Sequence, residues 1–310
     1  MASAVLKARQ TLRIGLGLLW VIDALLQLQP GMFTMDMISD IMQPAATGEP
    51  AWLKSLIDWS ITTVTPHLVL FNWAIVALQL AIGILILYPR RTTVRLGLLL
   101  SVVWGVAVWI FGEALGQLLT GSTTFLAGAP GSVAVYMVAA LLLLLPGQRW
   151  SVGWLGRHNP ATVVVGGIML LAIGLQANPL FWTSLGAANV FAQGAQMGGP
   201  WPLSSSLAAA ATVAGGSPVL INLVLIAAMS LVVVVLAWSP SSVATLLIGL
   251  GLLALTWWFG QDAGGLFSGM ATDPNTAPVL GLLFAAGWLA GRDKSRAVAT
   301  RNLSQMESSA

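Results

Sequence analysis

The sequence predicts an all-α, polytopic membrane protein. Eight transmembrane helices form two four-helix repeats of parallel orientation, with the N- and C-termini both in the cytoplasm. Three observations predict this. Of 310 residues, 57% are apolar and only 7% charged, whereas a soluble domain carries roughly 25% charged residues. Several long apolar runs approach the ~20 residues that cross a bilayer. Finally, stretches of the first half recur in the second.

The runs fall at 14–29, 67–88, 95–119, 131–147, 161–178, 218–238, 242–261 and 277–291. Helices are expected because backbone polar groups in lipid must be satisfied within their own segment. A cytoplasmic N-terminus puts Lys7, Arg9, Arg13, Arg90, Arg91, Arg95, Arg149 and Arg157 inside. Arg292, Lys294, Arg296 and Arg301 join them, which leaves only Lys54 outside, with Asp36, Asp40, Glu49, Asp58 and Asp273. This positive-inside asymmetry sets the orientation and predicts a multi-pass protein of the cytoplasmic membrane. The first run also has the basic flank of a signal peptide. Asp23 interrupts it and no small-residue cleavage site follows, so a retained helix is the reading adopted.

The repeat emerges at a shift of 148, which sets WIFGEALGQLLTG (109–121) over WWFGQDAGGLFSG (257–269). Nine of 22 positions from 109 to 130 are identical, among them Trp109, Phe111, Gly112, Gly116 and Pro130. A shift of 149 aligns Gln27 and Pro30 with Gln176 and Pro179, and a shift of 150 aligns Asn72 with Asn222. The resulting division is a first repeat at 1–148, a cytoplasmic linker at 149–159, a second repeat at 160–292 and a cytoplasmic tail at 293–310.

The acids carry the functional signal. Asp23 lies ten residues past Arg13 and seven before Pro30, about 10 Å below the outer end of its helix. A carboxylate there is costly and should face the bundle interior, protonated or paired. Its partner in the second half is Ala172. Glu113 lies ~27 Å along the helix from Arg95, near the outer interface, and Asp262 takes the adjacent step in the second half, so the acid is read as moved by one place. Gly112 and Gly116, four apart, predict close helix packing, as do Gly260 and Gly264. Gln117 and Thr120 are expected to continue the Glu113 helix. Asp23, Gln27, His67, Asn72, Glu113 and Asp262 thus become the candidate pocket residues, in an outward-opening polar site better equipped in the first half. Each of them except Asp23 has an equal alternative as a helix cap or interhelical hydrogen bond. His158 is read as a solvated loop residue.

The segment GMFTMDMISDIM (31–42) holds four methionines. It allows a soft copper(I) site, although an amphipathic helix on the membrane is the plainer reading. AWLKSLIDWSI (51–61) is also amphipathic, and the outer segment 180–217 carries no charge. There is no cysteine and there are only two histidines. That excludes disulfides and thiolate chemistry and leaves no evident haem or metal site. The basic residues lie at run ends, so no nucleic-acid partner is expected. The partners expected are the lipid bilayer and a membrane or extracytoplasmic protein docking through the outer loops.

A four-helix unit with an Asn-led second helix, a glycine-rich third helix and a short fourth resembles the DoxX/DoxD group of bacterial membrane proteins. The resemblance applies to each half separately and rests on topology and spacing. It implies a subunit of a membrane oxidoreductase that binds quinone or a small sulfur substrate, and quinone is the cofactor it allows. Two alternatives stand beside it. One is a proton-coupled small-molecule transporter built on parallel repeats, and the other is a non-catalytic membrane scaffold.

Overall fold

A computed structural model describes residues 3–151, 158–197 and 199–308. Arg157 and the side chains of Lys294, Arg296 and Arg301 lie outside the described residues. No β-strand forms among the described residues. The long helices are α1 (Ser3–Leu26), α2 (Ala51–Val64), α3 (Leu68–Leu87), α4 (Arg91–Phe111) and α5 (Ser132–Leu144). After the linker come α6 (Pro160–Gln176), α7 (Ser184–Gln196), α8 (Leu203–Gly216), α9 (Pro218–Trp238), α10 (Val243–Leu255) and α11 (Thr276–Ser308).

By length and composition, four segments can cross a membrane: Ala51–Leu87, which joins α2 and α3 through a tight turn, Arg91–Phe111, Pro218–Trp238 and Val243–Gly260. Their outward faces expose large apolar side chains, such as Leu70, Val103, Leu231 and Leu247. Water would penalise such a surface and a bilayer favours it, so the chain is a membrane protein in contact with lipid.

The helices pack in two rings. In the first, α1 packs on α3, α3 on α4, α4 on α5 and α5 back on α1. In the second, α6 packs on α9, α9 on α10, α10 on α11 and α11 on α6. The α1–α11 contact joins the rings, and a continuous apolar core runs through both. Arg9 donates to the carbonyls of Leu143 and Leu145 at 2.8 and 2.7 Å, and Arg13 to those of Ile86 and Leu87 at 3.0 and 3.3 Å. Two arginines of α1 therefore cap the C-terminal ends of α5 and α3, where a cation meets the negative end of the helix dipole. The beginning of α1 and the ends of α3 and α5 thus share one end of the bundle.

The third run stops short of the expected 119. Helix α4 ends at Phe111, and Ala114, Leu115, Gly116 and Gln117 follow with φ of 46°, 57°, 68° and 56°. Gln117 and Thr120 therefore do not extend the Glu113 helix, and Gly112 and Gly116 share no helix face. Gly116 is required for a different reason: a Cβ there would lie 2.1 Å from the carbonyl oxygen of Pro130. The chain leaves α10 in the same way. A π-helical turn at Thr256–Gly260 leads to Asp262, Ala263 and Gly264, with φ of 46°, 50° and 73°.

Outside the rings, 31–42 forms a short 3-10 turn (Pro30–Phe33) and a π-helical turn (Met37–Met42). Met32, Met37 and Met42 are buried against Ile38, Val64, Leu68 and Ile75, and Met35 is exposed. Three of the four methionines are thus packing residues. Helix α2 buries Leu53 and Ile57 and exposes Trp52 and Trp59, the amphipathic pattern expected of it. The charge-free stretch 180–217 folds into the antiparallel pair α7–α8. His158 is not a solvated loop residue: its Nε2 lies 3.2 and 3.1 Å from the carbonyls of Leu236 and Ala237, at the end of α9.

Candidate functional site

Two cavities meet at one wall. The first, the chamber, has a volume of about 330 Å³ and lies inside the first ring. Aromatic and aliphatic side chains of α1, α2, α3 and α4 make most of its lining, and Asp23, Glu113 and Asp273 make its polar end. The second, the vestibule, is larger and more polar, about 580 Å³, and runs between the ends of the two rings. It is lined by Asp40, Glu113, Gln193, Asp262 and Asp273 among others. Glu113 and Asp273 line both cavities. Among the described residues, no lysine, arginine or histidine lines either.

Asp23 faces the bundle interior and is 1% exposed. It accepts a hydrogen bond of 3.1 Å from Tyr136 Oη on α5. Tyr136 in turn stands edge-on to Trp20, ring centroids 5.0 Å apart. Trp20 is fixed by its own bond to Ser101 Oγ, 2.9 Å. The acid is thus held by a buried chain of partners from α1, α4 and α5.

Glu113 follows α4 and turns back onto the start of α5. Its Oε1 accepts from Ser132 Oγ at 2.7 Å and from the Val133 amide at 3.1 Å. A carboxylate at a helix N-terminus satisfies a free amide and complements the dipole. Gly131, with φ of 101°, makes the approach possible, since a Cβ there would lie 2.1 Å from Glu113 Oε2. Oε2 itself is buried without a partner. Burial, with the nearby charge of Asp273, pushes the Glu113 carboxyl up to about 8. Burial also raises Asp273, although its Oδ1 accepts from the Asn275 amide at 2.7 Å and Oδ2 from Thr272 at 3.0 Å.

The other expected site residues are dispersed. Gln27, 3% exposed, lines the chamber one turn beyond Asp23, and its Oε1 has no partner. Asn72 is fully buried but lines neither cavity. Its Nδ2 donates to the Gln27 carbonyl at 3.0 Å, so it ties α3 to α1. His67 is exposed at the turn before α3 and lines neither cavity. Asp262 lies in the vestibule, separate from the chamber, 6% exposed and with Oδ1 unpartnered. Burial raises its pKa.

Sequence reasoning missed four contributors: Asp273, Tyr136, Gln79 and Trp104. Gln79 lines the chamber from the middle of α3 with Oε1 buried and unpartnered, and Trp104 lines it from α4 with Nε1 unpartnered. Gln79 and Tyr136 stand alone as polar groups within apolar runs, a signal that was available.

The bonds around Glu113 and Gln261 keep the 148 shift. Gln261 Oε1 accepts from the Ala277 amide at the start of α11, at 2.9 Å, as Glu113 Oε1 does from Val133 at the start of α5. Trp109 Nε1 donates to the Pro130 carbonyl and Trp257 Nε1 to that of Pro274, both at 2.8 Å. The position matching Glu113 is therefore the neutral Gln261, and Asp262 stands where the first ring has Ala114. No protein-family model, no curated protein and no solved structure matches this chain.

Proposed function

We propose that the protein binds a small amphiphilic molecule in the chamber and exchanges protons with it or with the vestibule through Glu113 and Asp273. The observation that carries this is the position of these two acids. They stand on the one wall shared by an apolar chamber and a polar vestibule, where burial raises both above the ordinary carboxylate range. A carboxyl that titrates near neutrality is suited to taking and releasing protons.

The architecture proposed is a tandem duplication of eight spans, the two units facing the same way and both termini in the cytoplasm. Its supports are the two four-helix rings, the paired bonds of Glu113 and Gln261, the two left-handed turns after α4 and α10, and the clustering of basic residues. This is the plan that the DoxX/DoxD resemblance implies, and the cytoplasmic membrane is the proposed location. A sulfur oxyanion is disfavoured as ligand, because no basic side chain lines either cavity. Quinone binding within an oxidoreductase complex keeps one support: the unpartnered indole N–H of Trp104, which a quinone carbonyl could accept. Proton-coupled transport is supported by the vestibule, which gives the acids a polar outlet.

The test is a pH titration of the carboxyl band by infrared spectroscopy. One carboxyl is expected to titrate near pH 8 in the native protein and to vanish in Glu113→Gln. If every carboxyl titrates at or below pH 5, the proton-exchange reading fails.

A further inference from the structure

The polar end of the chamber is rich in acceptors, and its donors are the Trp104 indole N–H and the carboxamide N–H groups of Gln27 and Gln79. Asp23, Glu113 and Asp273 form its polar end. Gln27 and Gln79, 3% and 7% exposed, line it with carboxamide oxygens that have no partner. The lining hydroxyls of Ser60, Thr63 and Thr272 are already spent on Ile57, Trp59 and Asp273. Its remaining walls carry Trp20, Trp59, Phe71, Trp104 and Phe111.

A buried carboxylate or amide oxygen without a partner is expensive. Among the described residues, no basic side chain lines the chamber. Aromatic faces attract cations and also accept apolar surface. An anion would meet three carboxyls and no basic side chain here, and a neutral ligand with only acceptor groups leaves the amide oxygens unmet. Among the described residues no cluster of acids and histidines is arranged to hold a metal ion, and the aromatic walls suit a carbon skeleton.

We propose that the chamber binds a lipophilic organic cation, its ammonium end among Asp23, Glu113, Asp273, Gln27 and Gln79 and its apolar body against the aromatic walls. This rests on the reading of the chamber as a ligand site and names the ligand class.

The test uses the full chain in lipid nanodiscs with benzyltrimethylammonium and its uncharged carbon isostere, neopentylbenzene. Equilibrium dialysis against empty nanodiscs gives both affinities. The cation is expected to bind at least ~10-fold more tightly, the factor that one desolvated cation–π or charge contact supplies. The double variant Asp23→Asn, Glu113→Gln should erase the preference and keep the isostere's affinity. Equal binding of the two probes to the native protein would overturn the cation class and leave the chamber as a ligand site. That comparison needs no variant to fold. Absence of binding by both probes, with no change on filling the chamber by Ile75→Trp, would overturn the ligand site and the cation class together.

Discussion

The two rings use matching positions for opposite purposes. In the first ring, Asp23 and Glu113 line a chamber of about 330 Å³, and Tyr136 holds Asp23 from outside its lining. In the second, Ala172 stands at the position of Asp23 in the aligned sequences, and Gln261 receives the helix amide that Glu113 receives in the first. The second ring's amides are spent on each other. Gln176 Nε2 donates to Asn222 Oδ1 at 2.7 Å, its Oε1 accepts from Thr124, and Gln261 Nε2 donates to the Phe125 carbonyl at 3.3 Å. The cavity beside Gln176 and Asn222 holds only about 10 Å³. The ionisable, hollow ring is the one suited to a ligand, and the neutral, closed ring supports it. Among the described residues, the second unit keeps only Asn222 Nδ2 and Asp262 Oδ1 unpartnered, whereas the first leaves Gln27, Asn72, Gln79, Trp104 and Glu113 each with an unpartnered buried atom.

The comparison breaks most sharply if the first ring is rewritten as the second. Asp23→Ala with Tyr136→Leu copies Ala172 and Leu280, the residue four positions into α11 as Tyr136 is into α5. Benzyltrimethylammonium affinity should fall about 10-fold in equilibrium dialysis, the size of the one lining acid that is lost. A change of less than threefold would mean that these residues do not define the site.

The backbone differs at one matched point. Gly131 and Asn275 both have positive φ before their helices, 101° and 72°. Gly131→Ala adds a Cβ against Glu113 Oε2 as well as backbone strain, so it should cost ~2–4 kcal/mol by chemical denaturation. Asn275→Ala should cost ~1 kcal/mol. Equal costs would show that the contact with Glu113 is not what selects glycine.

The reverse exchange is milder. Gln261→Glu should destabilise on the order of 1–3 kcal/mol at pH 9 and hardly at all at pH 4. The native Glu113 sets the sign. Its folded pKa of about 8 exceeds its ordinary 4.5, so the folded state holds the proton more strongly. Its stability contribution is greatest below 4.5, declines between 4.5 and 8, and is level above. Glu113→Gln should therefore flatten the pH dependence of thermal stability across that window. An unchanged slope would remove Glu113 as its source. The smallest effect is expected at His67, which lines neither cavity: His67→Ala should change stability and ligand affinity by less than ~0.5 kcal/mol.

Composition made the membrane class legible, and a charge inside an apolar run exposed Asp23. Asp273 stayed hidden because ATDPN reads as an ordinary turn, and only folding brings that turn against Glu113. The repeat was visible, but its register was lost in a loop. Glu113 and Val133 are 20 apart and Gln261 and Ala277 only 16. The matched Ala129–Pro130 and Ala277–Pro278 are thus four residues out of step, whereas Glu113 and Gln261 keep the 148 shift. His67 failed because run length gives depth and not azimuth. The helix breaks after α4 and α10 were hidden because Ala114, Leu115 and Ala263 are residue types that ordinarily avoid positive φ.

Val133 and Tyr136 are three residues apart on α5. The first is gripped by Glu113, and the second grips Asp23. A single turn of rigid helix therefore works as a crossbar between the two carboxyls. Any tilt that loosens one end loads the other, so whatever reaches the outer acid is felt at the deeper one without crossing the open space between them.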